Sequence, residues 1–190
     1  MRRIVCLGMI ATALGCSGSS GDNSADKKSE PRKGEPTEVR LGDIRSTTPA
    51  SWVKETPSGS FRVYQFRLPR AEGDEADAVL VVYRGIGGSA KQNVDRWKGQ
   101  VTPPKGKTAD EAATVKELKV GGRPASYLDA EGTFLDSMPG SRDVTPRSGY
   151  RMLAVHIEGE ESPYHIKVTG PAKTVEKHKK EFNDWLTGFK

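Results

Sequence analysis

An apolar run at residues 4–14, headed by Arg2 and Arg3 and closed by Gly15 and Cys16, sets the first limit on what this chain can build. A membrane-spanning helix needs about 20 consecutive apolar residues to cross roughly 30 Å of hydrocarbon. The run is about half that, the usual length of the apolar core of a secretory signal. The longest later stretch, residues 78–83, is shorter still. The remainder of the chain is therefore expected to fold in water, outside the cytoplasm. The cysteines are Cys6 and Cys16, so the segment beyond them cannot form a disulfide of its own. Its stability has to come from an apolar core.

Residues 13–16, Ala-Leu-Gly-Cys, resemble the lipobox of bacterial lipoproteins, in which leucine and two small residues precede the lipid-bearing cysteine. Here Ala13 stands where the leucine usually does. The resemblance implies cleavage before Cys16 and lipid attachment to it; the alternative is an ordinary cleaved signal with a cysteine nearby. One acyl chain anchors marginally and two or more hold firmly, and the resemblance implies three. Residues 17–36 carry one alanine and no larger apolar side chain. Such a segment cannot bury enough surface to offset its ordering entropy, so it reads as a disordered tether reaching about 25 Å. The expected organisation is a signal peptide at 1–15, a tether at 16–36 and a single domain at 37–190.

The formal charge is +5, from 30 basic and 25 acidic residues; loss of Arg2 and Arg3 with the signal lowers it to +3. An excess that small, spread over a chain rich in both signs, favours solubility and gives no footprint for nucleic acid. A domain of about 150 residues buries roughly 68–70% of its unfolded surface, enough for one core.

Within 37–190, residues 61–68 alternate aromatic and β-branched side chains and read as a strand. Residues 78–83 are apolar on both faces and read as a central strand covered on both sides. An acidic turn at 69–77 joins them. Residues 89–101 read as a helix, with Ala90, Val94, Trp97 and Val101 on one face. Residues 115–120 and 124–134 read as paired strands joined at Gly121 and Gly122. Residues 136–149 read as a long mobile loop. Residues 151–157 and 164–169 form a hairpin, and a helix at 171–188 opens on Pro171. Its stripe of Val175, Phe182, Trp185, Leu186 and Phe189 should dock on the sheet. Strands joined by tight turns, with helices between, favour an α+β fold: a mainly antiparallel sheet with helices packed on it.

Trp52, the strand after Phe61, the strand–glycine turn–helix over 83–97 and the ending Tyr-His-Ile-Lys-Val-Thr-Gly-Pro-Ala-Lys-Thr-Val at 164–175 resemble an uncharacterised family of planctomycete lipoproteins. Element order and the C-terminal helix resemble the PsbP-like α/β/α sandwich. The resemblance implies location and fold, and it supplies no catalytic residues.

Gly85, Gly87, Gly88 and Ser89 fit G-x-G-x-x-A after a strand and before a helix, a pattern that lets phosphate approach a helix N-terminus. A dinucleotide site also needs a following parallel strand and an acidic residue about 20 positions on. Here Pro103 and Pro104 follow instead, and a strand-to-helix turn with Ser89 near the cap is the plainer reading. His156 and His165 fall opposite each other when Ile157 pairs with Tyr164, with Cβ atoms about 5 Å apart. Two imidazoles can begin a metal site, but zinc takes three or four protein ligands, and spacing specifies no third. The plainer reading is a cross-strand pair. His178, in the lysine-rich stretch 173–180, reads as part of a solvated face. Trp52, Trp97 and Trp185 read as core. Asp129, Glu131 and Asp136 show no acid/base spacing, and no catalytic motif is found.

The expected function is that of a lipid-anchored envelope protein facing the periplasm or the cell surface. It would be a non-catalytic interaction module meeting the membrane through Cys16 and binding another envelope protein, with no cofactor and no nucleic acid. The alternative is a small-ligand or metal-binding envelope protein that uses the glycine turn or the histidine pair.

Overall fold

The computed structural model describes residues 34–137 and 143–190. The signal peptide, Cys16 and most of the expected tether lie outside the described residues. The strands are β1 (Glu38–Leu41), β2 (Ile44–Thr47), β3 (Val53–Glu55), β4 (Arg62–Leu68), β5 (Ala78–Arg84), β6 (Val101–Thr102), β7 (Ala113–Val120), β8 (Arg123–Ser137), β9 (Val144–Ile157) and β10 (Tyr164–Pro171). The helices are α1 (Ala90–Lys98) and α2 (Ala172–Thr187). The main sheet runs β3-β4-β5-β10-β9-β8-β6, with β7 also on β8, and every pairing is antiparallel. The fold is α+β, with one helix on each face.

A strand sends alternate side chains to opposite faces, and this period decides the two cores. Ile166 and Val168 on β10, Leu153, Val155 and Ile157 on β9, and Leu80 and Val82 on β5 share the face closed by α2 and the β1–β2 hairpin. There Trp185 lies 5.4 Å from Trp52 and 5.1 Å from Phe189, ring centre to ring centre, all of them buried. The opposite face holds a smaller core, where Val94 and Trp97 of α1 pack with Val101, Leu128, Ala130, Met152 and Ala154.

Side chains and turns fasten α2 to the sheet. Asp74, in the turn between β4 and β5, accepts from the backbone N–H and hydroxyl of Thr174 at 2.8 and 2.6 Å and so caps the helix N-terminus. Arg151 grips Asp129 through Nε and Nη2 at 2.7 and 2.8 Å, Lys179 reaches the same carboxylate at 2.8 Å, and Arg151 also meets Glu176 at 2.5 Å. Burial alone would raise the Asp129 carboxyl, but Arg151 and Lys179 hold it below the usual range. At the C-terminus Lys190 exchanges backbone hydrogen bonds with Arg45.

The expected strands at 61–68, 78–83, 115–120, 124–134, 151–157 and 164–169 are present, several of them longer than expected. Gly121 and Gly122 make the tight turn between β7 and β8, with φ of 56° and 80°. Four expectations are corrected. The first helix stops at Lys98, where Gly99 caps it, and Val101 starts β6 opposite Phe134. Of the expected loop at 136–149, residues 138–142 lie outside the described residues and the others are mostly strand: β8 runs to Ser137 and β9 starts at Val144, in a ribbon pairing Leu135 with Pro146 and Asp136 with Thr145. Residues 143–149 are exposed, so no burial imposes an apolar alternation on their sequence. His178 is buried, not solvated, and lies between Pro69 O at 2.9 Å and Glu181 Oε2 at 3.1 Å. Pro171 ends β10 and serves as the N-cap, one position before the helix.

Trp185→Ala is expected to cost about 3–5 kcal/mol through lost burial and a residual cavity. A denaturant titration would read this directly, and a loss under about 1 kcal/mol would place the main core elsewhere.

Candidate functional site

Because Ile166 and Val168 are committed to the α2 core, their neighbours His165, Lys167 and Thr169 face the other way, toward α1. Strand β10 is interior, between β5 and β9, so these polar groups cannot escape at an edge. The register sets His165 against His156 on one side and Tyr83 on the other, and Tyr83 in turn against Arg62.

The two histidines meet as the pairing implied: His156 Nδ1 is 2.9 Å from His165 Nε2, and both residues are buried. His156 Nε2 lies 3.1 Å from Glu158 Oε1. A carboxylate only accepts, so this nitrogen carries the proton. The buried His165 Nδ1 has no hydrogen-bond partner among the described residues. The His165 ring stands edge-on to Trp97 at 5.4 Å. Burial, with the charges of His156, Arg96 and Lys167, pushes His165 down to about 4. It is therefore a neutral imidazole at physiological pH.

Next along the strand, the half-buried Lys167 donates from Nζ to Gln100 Oε1 at 2.7 Å and sits 5.5 Å from the centre of the Phe134 ring. Arg96, on the flank of α1, donates to Asn93 Oδ1 at 2.6 Å. Arg62, on β4, donates to Gln65 Oε1 at 2.9 Å and lies over the Tyr83 ring at 5.9 Å. Burial, then the fields of Arg96 and Arg62, lower the Lys167 ammonium to about 8, against a weaker pull from Asp136. That carboxylate is itself bound by Arg147 at 2.8 Å. Each of these three cations is held by a neutral amide oxygen.

The glycine turn joins this group through one residue. Ser89 caps α1 in a reciprocal box: Gln92 N–H donates to Ser89 Oγ at 3.3 Å, and Ser89 N–H to Gln92 Oε1 at 2.8 Å. The buried Asn93 donates from Nδ2 to the carbonyls of Gly87, Gly88 and Ser89 at 3.4, 3.1 and 3.0 Å while its Oδ1 receives Arg96. Gly85 and Gly88 have φ of 80° and 98°. No parallel strand follows: β5 lies between β4 and β10, antiparallel to both. Two clefts open elsewhere. One of about 500 Å³ lies beside β2 and the end of α2, and one of about 260 Å³ lies beside Asp129, Glu131 and Arg151. Neither is lined by the histidine pair or the glycine turn.

Among the sequence candidates, then, His156 and His165 come together, and Gly87, Gly88 and Ser89 reach the cluster only through Asn93. Sequence reasoning passed over Lys167, Arg62, Arg96 and Asn93. The available signal was the out-of-phase set His165, Lys167 and Thr169 on a strand otherwise rich in core residues.

No protein-family model matches the chain, and no curated protein sequence matches it. Among solved structures it is similar to the cyanobacterial PsbP of Synechocystis sp. PCC 6803, at TM-score 0.49 and 12% identity over 93% of this chain and 99% of that one. It is also similar to LpqN, involved in cell envelope biogenesis of Mycobacterium tuberculosis, at TM-score 0.49 and 10% identity over 82% and 89%. A third is PA94, a protein of unknown function from Pseudomonas aeruginosa, at TM-score 0.46 and 16% identity over 81% and 95%. At these identities the likeness concerns architecture and carries no residue roles across.

The neutral His165 gives a pH signature. An unfolded histidine protonates near 6.5 and the folded one near 4, so between these values the unfolded state binds more protons. Stability is therefore expected to fall by on the order of 3 kcal/mol as pH drops from about 6.5 to about 4. Urea midpoints across that range should show the slope, and His165→Phe should flatten it. An equal slope in the variant would assign the loss to other groups.

Proposed function

We propose that this chain is a lipid-anchored protein of the bacterial envelope that works as a binding module and not as a catalyst. The observation that supports this reading is that Arg62, Arg96 and Lys167, on the side of the sheet that carries α1, are each held by a neutral amide oxygen. Burial of the Lys167 ammonium is costly, and an anionic partner offsets that cost. Two other titratable groups, one on β8 and one on α2, are committed otherwise. Asp129 is chelated by Arg151 and Lys179, and His178 bridges Pro69 and Glu181. A general acid or base would have to give up such bonds to act.

Anchoring through Cys16 and membership of the planctomycete lipoprotein family belong to the same proposal. They rest on the lipobox-like residues 13–16 and on the motifs around Trp52, 83–97 and 164–175.

In-cell crosslinking of the full-length protein, followed by membrane fractionation, tests both halves. The wild type is expected in the membrane fraction with a discrete adduct. Cys16→Ser should release it and lower the adduct several-fold; a variant that still pellets would sink the anchor. Arg62→Gln with Arg96→Gln should stay in the membrane and lose the adduct, its folding checked by thermal midpoint. An undiminished adduct would remove this face from the binding surface.

A further inference from the structure

The two helices are fastened to the sheet in different ways. Helix α2 buries six residues and is tied along its length: Thr174 to Asp74, Glu176 to Arg151, Lys179 to Asp129, and the Trp185 carbonyl to Ser46 Oγ at 2.9 Å. Helix α1 buries three, Asn93, Val94 and Trp97. Among the described residues its side-chain hydrogen bonds stay on the helix and its glycine turn, apart from Lys98, which meets the exposed Asp110 of the following loop. The apolar contacts of Val94 and Trp97 hold α1 down, and Trp97 stands edge-on to His165 at 5.4 Å. Helix α1 is the weaker attachment, the kind of element that opens locally before the whole fold does.

We propose that α1 is an acid-sensitive cover of the sheet: when the buried imidazole pair beneath it takes up a proton, the helix loosens as a unit while the α2 face stays closed. The geometry fixes where that proton goes. Of the four ring nitrogens of His156 and His165, three are in hydrogen bonds, between the rings at 2.9 Å and to Glu158 at 3.1 Å. The fourth, His165 Nδ1, is buried without a partner among the described residues. A proton there makes a buried charged donor with no acceptor, which is costly.

The groups around the ring do not offset that cost. Arg96 approaches from α1 and Lys167 from its own strand, and both are cations. On β9, His156 is bonded to Glu158, and on β5 the Tyr83 phenol, raised by burial, is neutral. Glu117 of β7 is bonded to Ser126, which lies on the far side of His156. Lys167 and His156 belong to the sheet and cannot withdraw from the ring without breaking its ladder. Arg96 can, by the lifting of α1, and the same movement opens that side of the ring to water. Gly88, at φ 98°, leads into the helix and Gly99 follows it, so the adjoining backbone bends at little cost. The loosened helix uncovers Leu128, Ala130, Met152 and Ala154, the apolar strip it otherwise closes.

With α1 docked, His165 protonates near 4, whereas a histidine in water does so near 6.5. The loosened state therefore binds more protons between these values, and docking weakens by up to about two orders of magnitude as pH falls from 6.5 to 4. Hydrogen exchange of the full-length protein in detergent, corrected for the intrinsic pH dependence of exchange, tests this at pH 7 and 4.5. Protection of the α1 amides, residues 90–98, is expected to fall at least tenfold at pH 4.5 and to lie at least tenfold below that of α2. Low urea should leave α1 exchange unchanged and speed that of α2, the mark of a local opening beside a global one. His165→Phe and His165→Gln, neither of which titrates, should keep α1 at its pH 7 protection, and Arg96→Gln should lessen the acid loss. Unchanged α1 protection in the wild type overturns the proposal. So does exchange of α1 and α2 with one free energy and one urea dependence, and so does an acid loss that both His165 variants retain.

Discussion

Closure of one sheet face by α2 is the constraint on which the rest of the molecule depends. Trp52, Phe182, Trp185, Leu186 and Phe189 form a continuous buried cluster with the strands beneath them, and a tightly packed cluster fixes which way each strand side chain turns. Once Ile166 and Val168 enter it, the two-residue period leaves His165, Lys167 and Thr169 no other direction. A one-residue slip of β10 would drive His165 and Lys167 into the aromatic core, so the register is strongly specified. The polar side of the sheet is thus a consequence of the apolar side.

The molecule buries charge in two different ways. Around Asp129 the charges are matched: Arg151 is bidentate, Lys179 adds a third bond, and Glu176 balances the second cation. A network of that kind offsets its desolvation by geometry and pins α2 to β8 and β9. Around Lys167 the stronger fields, from Arg96 and Arg62, carry its own sign, and the weaker Asp136 is bound by Arg147. Hydrogen bonds to amide oxygens and the Phe134 ring recover part of the lost hydration, but no bond there cancels a charge. The first arrangement stabilises a fold.

Much of this was legible in the sequence and some was not, for separable reasons. The strand pairs at 115–134 and 151–169 could be read because burial on one face imposes alternation, and the pairing of Ile157 with Tyr164 then placed His156 against His165. The β1–β2 hairpin is only four residues a side, too short for periodicity to stand out. The ribbon beyond Leu135 is exposed on both faces, so nothing in its composition separates it from a loop. His178 looked solvated because lysines surround it in sequence, yet only the docking of the β4–β5 turn onto α2 brings Pro69 over it. Arg62 and Arg96 lie far apart in sequence from Lys167, and the three come onto one side of the sheet only after β4, β10 and α1 have assembled.

The extent of the open face is set by simple dimensions. Seven strands at about 4.8 Å spacing make a sheet roughly 30 Å wide, whereas one helix with its side chains is about 10 Å across. Helix α1 can therefore roof only two or three strands, and it lies over β6, β8 and β9. Lys167, on the next strand, stands at the helix edge, and its ammonium is buried there against Gln100 and the Phe134 ring. A second helix over β4 and β5 would have buried Arg62 and Tyr83 as well, and the three cations would then have required carboxylates to remain charged. With water on that side, amide oxygens suffice to hold Arg62 and Arg96. The uncovered half of the sheet and the amide partners of these two arginines are in this sense a single structural feature, set by the short reach of one nine-residue helix.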